Sequence, residues 1–260
     1  MHYELSIVQP ETLRAEGELS RFEILEPSIL VVAAYGSILP QEYLDLLEKG
    51  GLNIHPSLLP LHRGPSPIVN TILEGDTDAG VSIFLMDKVM DTGPILRQKK
   101  TPVALNETGG ALTDRLSLEG AKMLVPTLQD WTRGDIEPVP QDNDIATYSR
   151  LLKKSDGMLD FKKSALTLKR KIDAFNPWPT TFTTYKGKRL TVLEAWSYDG
   201  KELELEPGQI SHSPSQEKIL LGTGDGILDI RKIQLEGKRP VNAIEFLRGY
   251  QDFSGSILPS

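Results

Sequence analysis

Asn53-Ile54-His55 is the triplet in this sequence best suited to chemistry. It closes a short apolar run that Pro56 stops, so it reads as the end of a β-strand. Residues i and i+2 of a strand share a face, which sends both polar side chains the same way. A carboxamide donor can bind a carbonyl oxygen as it becomes an oxyanion. An imidazole, with an ordinary pKa of about 6.5, can move protons at neutral pH. The pair therefore suits acyl-type transfer to an amine, although a structural histidine accounts for the same two residues. Further on, Asp87 and Asp91 flank Met90, and Asp91-Thr92-Gly93-Pro94 forms a loop. A carboxylate there can orient His55 and raise its pKa through opposite charge; a turn aspartate before Gly93 is the plainer explanation.

The surrounding loops are built to hold a ligand. His55-Pro56-Ser57-Leu58-Leu59-Pro60 and then Arg63-Gly64-Pro65-Ser66-Pro67 put prolines on both sides of apolar residues, which lowers the entropy lost on ordering. No metal is expected: His62 follows His55 by seven residues without an acidic or second histidine partner at a ligand spacing. His62 itself reads as a loop surface residue.

The elements that must position these groups form an α/β pattern. Ile29–Ala34 is a continuous apolar run suited to a strand buried on both faces. Strands are predicted at 52–55, 80–86 and 94–100, with a helix over 67–74. A longer amphipathic helix is predicted over 107–130, its apolar face made by Ala111, Leu112, Leu116, Leu118, Met123, Leu124 and Leu128 and its start capped by Asn106 or Thr108. Residues 131–147, with Gly134, Pro138 and Pro140 among polar residues, read as an extended linker. Beyond it come a helix over 164–175, strands at 180–185, 189–196, 208–212, 218–222 and 227–234 with glycine turns, and a helix over 242–249. Five short strands punctuated by glycine suggest a small OB-like barrel. The expected domains are thus 1–130, an open sheet on which ligands bind at carboxyl strand ends, and 148–260.

Composition narrows the class. With 39% apolar and 25% charged residues the chain reads as soluble and globular. It has no cysteine, which excludes disulfides, zinc-thiolate sites and thiol nucleophiles. No apolar run reaches the roughly 18 residues of a membrane span, and Met1-His2-Tyr3-Glu4 lacks the pattern of a signal peptide; a cytoplasmic monomer is expected. The net charge is −7, yet it is unevenly spread: residues 1–130 carry −8 and residues 131–260 carry +1. Between Arg150 and Arg189 stand 11 basic residues against 3 acidic ones. Such a cluster can bind phosphates, because salt screens distant charges beyond about 10 Å; a solvated helix face and hairpin turn is the alternative.

Asn53-Ile54-His55-Pro56-Ser57-Leu58-Leu59-Pro60, followed by Met90-Asp91-Thr92-Gly93-Pro94, resembles the folate-dependent formyltransferases. Gly75-Asp76-Thr77 with Gly80-Val81 is similar to the family's turn into the strand before its catalytic aspartate. The resemblance implies a Rossmann-like sheet, a catalytic triad of Asn53, His55 and Asp91, and 10-formyltetrahydrofolate as co-substrate. Tyr35, Gly36, Ile38 and Leu39, in a stretch similar to the family's folate loop, and Ser57, Leu58, Leu59 and Pro60 are the expected cofactor contacts. Ala174-Phe175-Asn176-Pro177-Trp178-Pro179 resembles a signature shared by the tRNA-formylating branch of the family and a few relatives with the same C-terminal domain. Thr223-Gly224-Asp225-Gly226 and Phe246-Leu247-Arg248-Gly249 resemble most the branch whose acceptor is initiator methionyl-tRNA. Arg63, Lys169, Arg170, Lys171, Lys186, Lys188 and Arg189 are the expected tRNA contacts. The implied mechanism is direct: the methionyl amine attacks the formyl carbon, Asn53 stabilises the oxyanion, His55 passes the proton toward N10, and Asp91 holds His55 and an ordered water. An amino-sugar-nucleotide acceptor, hydrolysis of the formyl folate, and a catalytically dead RNA-binding chain are the rival readings.

The resemblance starts near the family's third strand. Two strand–helix units, about fifty residues, have no counterpart before Ser6-Ile7-Val8-Gln9-Pro10. A start placed downstream of the true one is the favoured explanation, ahead of a short chain of weak or no activity and a separate complementing chain. The expected consequence is an apolar edge along Ile29–Ala34 and a Ser6–Val8 strand without a neighbour.

Overall fold

The computed structural model describes residues 5–200 and 203–260. Met1-His2-Tyr3-Glu4, read above for a targeting pattern, lies outside them. In chain order the elements are α1 (Glu18–Ile24), β1 (Leu30–Ala33), α2 (Gln41–Asp45), β2 (Gly51–His55), α3 (Pro67–Glu74), β3 (Asp78–Leu85), β4 (Ile95–Pro102), α4 (Gly109–Arg133), α5 (Ala165–Ala174), β5 (Thr181–Tyr185), β6 (Lys188–Tyr198), β7 (Ile210–Ser213), β8 (Lys218–Gly222), β9 (Ile227–Leu235), β10 (Val241–Asn242) and α6 (Ala243–Gly249). They cluster into two compact units that do not follow chain order. Of the described residues, one comprises 5–65, 80–100 and 116–148; the other comprises 66–79, 101–115, 149–200 and 203–260.

The first unit holds a mixed sheet in the order β1-β2-β3-β4. β1 and β2 run parallel, with Val32 beside Asn53, whereas β2 and β3 are antiparallel, with Phe84 beside Asn53 and Ser82 beside His55. Leu52 is fully buried, and Ile54 points at Gly120 of α4, where any Cβ would meet its Cγ2 at 2.8 Å. Period two then puts Asn53 and His55 on the opposite face. In α4 the buried stripe is Leu112, Leu116, Gly120, Met123 and Thr127, and the Thr108 hydroxyl accepts from Ala111 N at 3.2 Å at its start. Ala111 and Leu118, expected on the apolar face, are exposed; two residues past Leu116 is about 200° around a helix.

Two expectations fail here. The run Ile29–Ala34 gives a shorter strand that is not doubly buried: Leu30 and Val32 are half-buried, Val31 and Ala33 exposed. β1 ends the sheet path, with β2 as its one paired strand among the described residues. Residues 5–10 form no strand, and Leu5, Ile7 and Val8 are exposed.

In the second unit α3 packs against α5. Pro67 starts α3 and Gly75 ends it in the left-handed conformation, the asymmetry that helix termini favour. Ser164 caps α5 by accepting from Thr167 N at 3.2 Å. The strands form an antiparallel path β5-β6-β9-β8-β7, with β10 paired to β9. Leu168 and Ile172 of α5 and Phe246 of α6 are buried in a core with Tyr185, Leu190, Ile219, Leu228 and Ile233. The path is not a directly closed barrel, because β5 and β7 do not pair among the described residues. Its two ends are instead tied by the tail: Ile210 N donates to Ser256 O at 2.8 Å and Ser260 N to Thr184 O at 3.0 Å.

Candidate active site

Asn53 and His55 stand at the carboxyl end of β2. Because β1 runs parallel beside it, the loop after β1 and the loop after β2 leave from the same edge of the sheet. The Asn53 side chain is half-buried and its carboxamide makes no hydrogen bond among the described residues, so its donors are available. His55 is 4% exposed and packs edge-on against Phe84. Its Nε2 lies 3.0 Å from the His62 carbonyl. A carbonyl only accepts, which makes Nε2 the protonated nitrogen and leaves the lone pair on Nδ1. Asp91 Oδ2 sits 3.7 Å from that Nδ1, close enough to stabilise an imidazolium but too long for a direct hydrogen bond.

Burial is the largest influence on His55 and pushes its pKa below the ordinary value; the Asp91 carboxylate and the His62 carbonyl oppose it. Asp91 does act to raise the His55 pKa, as expected, but desolvation of the cation outweighs the nearby charge and the net shift is downward. The result is an imidazole kept neutral and ready to accept a proton.

The loop after β2 is held from below by two polar side chains without a signal in sequence. Ser82 Oγ donates to Ser57 O at 2.6 Å and accepts from Leu59 N at 3.1 Å. Gln98 Nε2 donates to Ser82 Oγ at 2.8 Å and to Leu59 O at 2.9 Å. His62, read as a surface residue, is buried, with its N–H on Thr147 Oγ1 at 2.8 Å. Asp91 has φ 57° and its carboxylate accepts from Gly64 N at 2.7 Å. Gly93 is required two residues later, since a Cβ there would lie 1.7 Å from Leu85 O.

Of the expected cofactor contacts, Tyr35, Gly36 and Ile38 are exposed and Leu39 is half-buried in the loop that follows β1. Leu58 and Pro60 are half-buried. Ser57 and Leu59 are buried; the Ser57 hydroxyl donates to Leu61 O at 2.6 Å, so it shapes the loop.

The expected tRNA contacts need correcting. Arg63 is 1% exposed, its guanidinium held by Gln141 Oε1 at 2.8 Å and Asn143 Oδ1 at 2.8 Å. Lys169 is buried and paired with Asp173. Arg170 Nη1 donates to Glu74 O at 3.2 Å, and Lys171 Nζ to Met158 O at 2.6 Å. Arg63 and Lys169 are thus committed to the fold, as buried cations must be paired, whereas Arg170 and Lys171 are half-buried and each is bound to one backbone carbonyl. The hairpin turn remains: Lys186 pairs with Asp252, Lys188 is exposed, and Arg189 lies over the Phe182 ring at 3.6 Å. Of residues 131–147, read as an extended linker, the first three continue α4 and the rest belongs to the first unit, where Val139 bridges Ile95 and Gln141 reaches the Asp91 loop. Among the described residues no three His, Asp or Glu side chains gather as a metal site, and no helix is long and apolar enough to cross a membrane.

Residues 3–128 match the formyl transferase family, and residues 151–251 match the formyl transferase C-terminal domain. The chain belongs to the formyl transferase family. Among its relatives is the methionyl-tRNA formyltransferase of Roseiflexus castenholzii, 39% identical over 98% of this chain and 80% of that protein. The methionyl-tRNA formyltransferase of Chloroflexus aurantiacus is 40% identical over 96% of this chain and 80% of its own. Among solved structures, HypX from Aquifex aeolicus in complex with tetrahydrofolic acid superposes with a TM-score of 0.66 at 19% identity, over 91% of this chain and 41% of HypX. That last likeness is one of fold.

Proposed function

We propose that this chain transfers a formyl group from 10-formyltetrahydrofolate to the α-amine of initiator methionyl-tRNA. The observation that carries the reading is the arrangement at the end of β2: a free carboxamide and a neutral imidazole on one face, with a carboxylate 3.7 Å behind the imidazole. The relatives at 39–40% identity, named as methionyl-tRNA formyltransferases, support the choice of acceptor.

In this reading the methionyl amine attacks the formyl carbon, forming a carbon–nitrogen bond while the carbonyl oxygen takes the electron pair. Asn53 donates to that oxyanion, a preorganised interaction worth about 3–4 kcal/mol in the transition state. The attacking amine gives up a proton to His55 Nδ1, and Asp91 stabilises the resulting imidazolium. The oxyanion then collapses, the carbon–N10 bond breaks, and N10 regains a proton from His55. The products are formylmethionyl-tRNA and tetrahydrofolate. Tyr35–Leu39 and Leu58–Pro60, leaving the same sheet edge, are read as the folate-facing loops. The second sheet is read as an OB-like module that meets RNA phosphate through Lys186, Lys188 and Arg189. The functional boundary is read in 131–147, between the two family matches.

Incubation with 10-formyltetrahydrofolate and charged initiator tRNA tests the reading. Formylmethionyl-tRNA is the expected product. Formylation of an amino-sugar nucleotide instead, or release of formate without an acceptor, contradicts it.

A further inference from the structure

We propose that Gln141 is a positioning residue for Asp91, supplied by the segment that follows α4. This rests on the assignment of Asp91 to the transfer reaction.

Gln141 Nε2 donates to Asp91 O at 2.9 Å and to Gly93 O at 2.7 Å, so the amide spans the two carbonyls on either side of Thr92. Its Oε1 accepts from Arg63 Nε at 3.1 Å and Nη2 at 2.8 Å. The orientation of the carboxamide is fixed by chemistry: a guanidinium can only donate and a carbonyl can only accept. Arg63 is itself buried and anchored, with Nη2 on Asn143 Oδ1 at 2.8 Å and its backbone N–H on Thr147 O at 2.9 Å. The next residue, Gly64, donates its N–H to Asp91 Oδ2 at 2.7 Å.

These contacts close a ring. The Asp91 carboxylate is tied to Gly64, Gly64 is bonded to Arg63, Arg63 holds Gln141, and Gln141 holds the Asp91 backbone. Asp91 is thus gripped at both its side chain and its carbonyl. Its φ of 57° lies in the left-handed region, which aspartate tolerates better than most residues but which still carries a cost that the surrounding contacts offset. A small rotation there would carry the carboxylate away from His55 Nδ1, which it already meets at 3.7 Å. Gln141 touches no reacting atom; it acts by keeping Asp91 where its charge reaches the imidazole.

Two substitutions separate this role from bulk stability. Gln141→Glu keeps an acceptor for Arg63 but removes both donors to the carbonyls. Gln141→Met keeps length without charge. Each is expected to lower kcat for formyl transfer about 10-fold to 100-fold, with KM for tRNA and folate little changed and the circular dichroism spectrum native. In the Asp91→Ala background neither should lower kcat further, because the group being positioned is gone. Wild-type kcat in both variants, or an equal loss with and without Asp91, overturns the proposal. If Asp91→Ala alone leaves transfer intact, the catalytic reading of Asp91 fails and the positioning role of Gln141 falls with it; loss in Asp91→Ala with wild-type kcat in the Gln141 variants overturns the positioning role alone.

Discussion

His55 is subject to opposing influences whose balance decides its use. Burial disfavours its cation, the Asp91 carboxylate favours it, and burial is the larger. A folded pKa below the unfolded one means that stability is present above the ordinary value of about 6.5 and is lost as pH falls. In the proposed mechanism the neutral ring is the base, so the same sign places the acid limb of kcat/KM below that value. Asp91→Asn removes a stabilising charge, so the limb should move to still lower pH while the maximum rate falls. A pH–rate profile shifted upward, or unmoved, contradicts the assignment of Asp91 as the partner of His55.

At the scale of elements, the turn from β3 into β4 carries the most constraint. Gly93 has Leu85 O where a Cβ would be, at 1.7 Å. Gly93→Ala should therefore destabilise the fold by about 2 kcal/mol or more and displace Asp91. Urea denaturation measures the first, and an unchanged midpoint contradicts it. The elements that hold the triplet were legible because their signals are local. β2 ends at Pro56, α3 lies between Pro67 and Gly75, and Thr108 caps α4. What was illegible is long-range. Gln141 reaches Asp91 across fifty residues and Arg63 across 78, and such bonds leave no periodicity near either partner. Helix α1 has no side-chain cap and buries nothing, so no stripe or cap announces it. His62 and Arg63 look like surface residues by type, and only the packing of 141–148 reveals why they are buried.

At the scale of the whole chain, net charge hides where cations are free. The basic excess between Arg150 and Arg189 suggests one phosphate-binding cluster, yet Lys169 is buried against Asp173, and Arg170 and Lys171 are half-buried, each donating to a backbone carbonyl. The β5–β6 turn is the part proposed to meet phosphate, although Lys153, Lys154, Lys162 and Lys163 are exposed as well. Lys186→Glu with Lys188→Glu should weaken tRNA binding and flatten its dependence on salt, by about one unit of slope for each phosphate that the turn no longer neutralises. Rates at saturating tRNA should stay the same. Unchanged affinity would make the turn a solvated face.

The central claim is that Asn53, His55 and Asp91 act together on one formyl carbon. Single-turnover transfer from 10-formyltetrahydrofolate to initiator methionyl-tRNA, compared for the native chain, Asn53→Ala and His55→Ala, tests it most directly. Each variant should lose about 10² or more in rate, with tRNA affinity preserved. Native-like turnover by either one would contradict it.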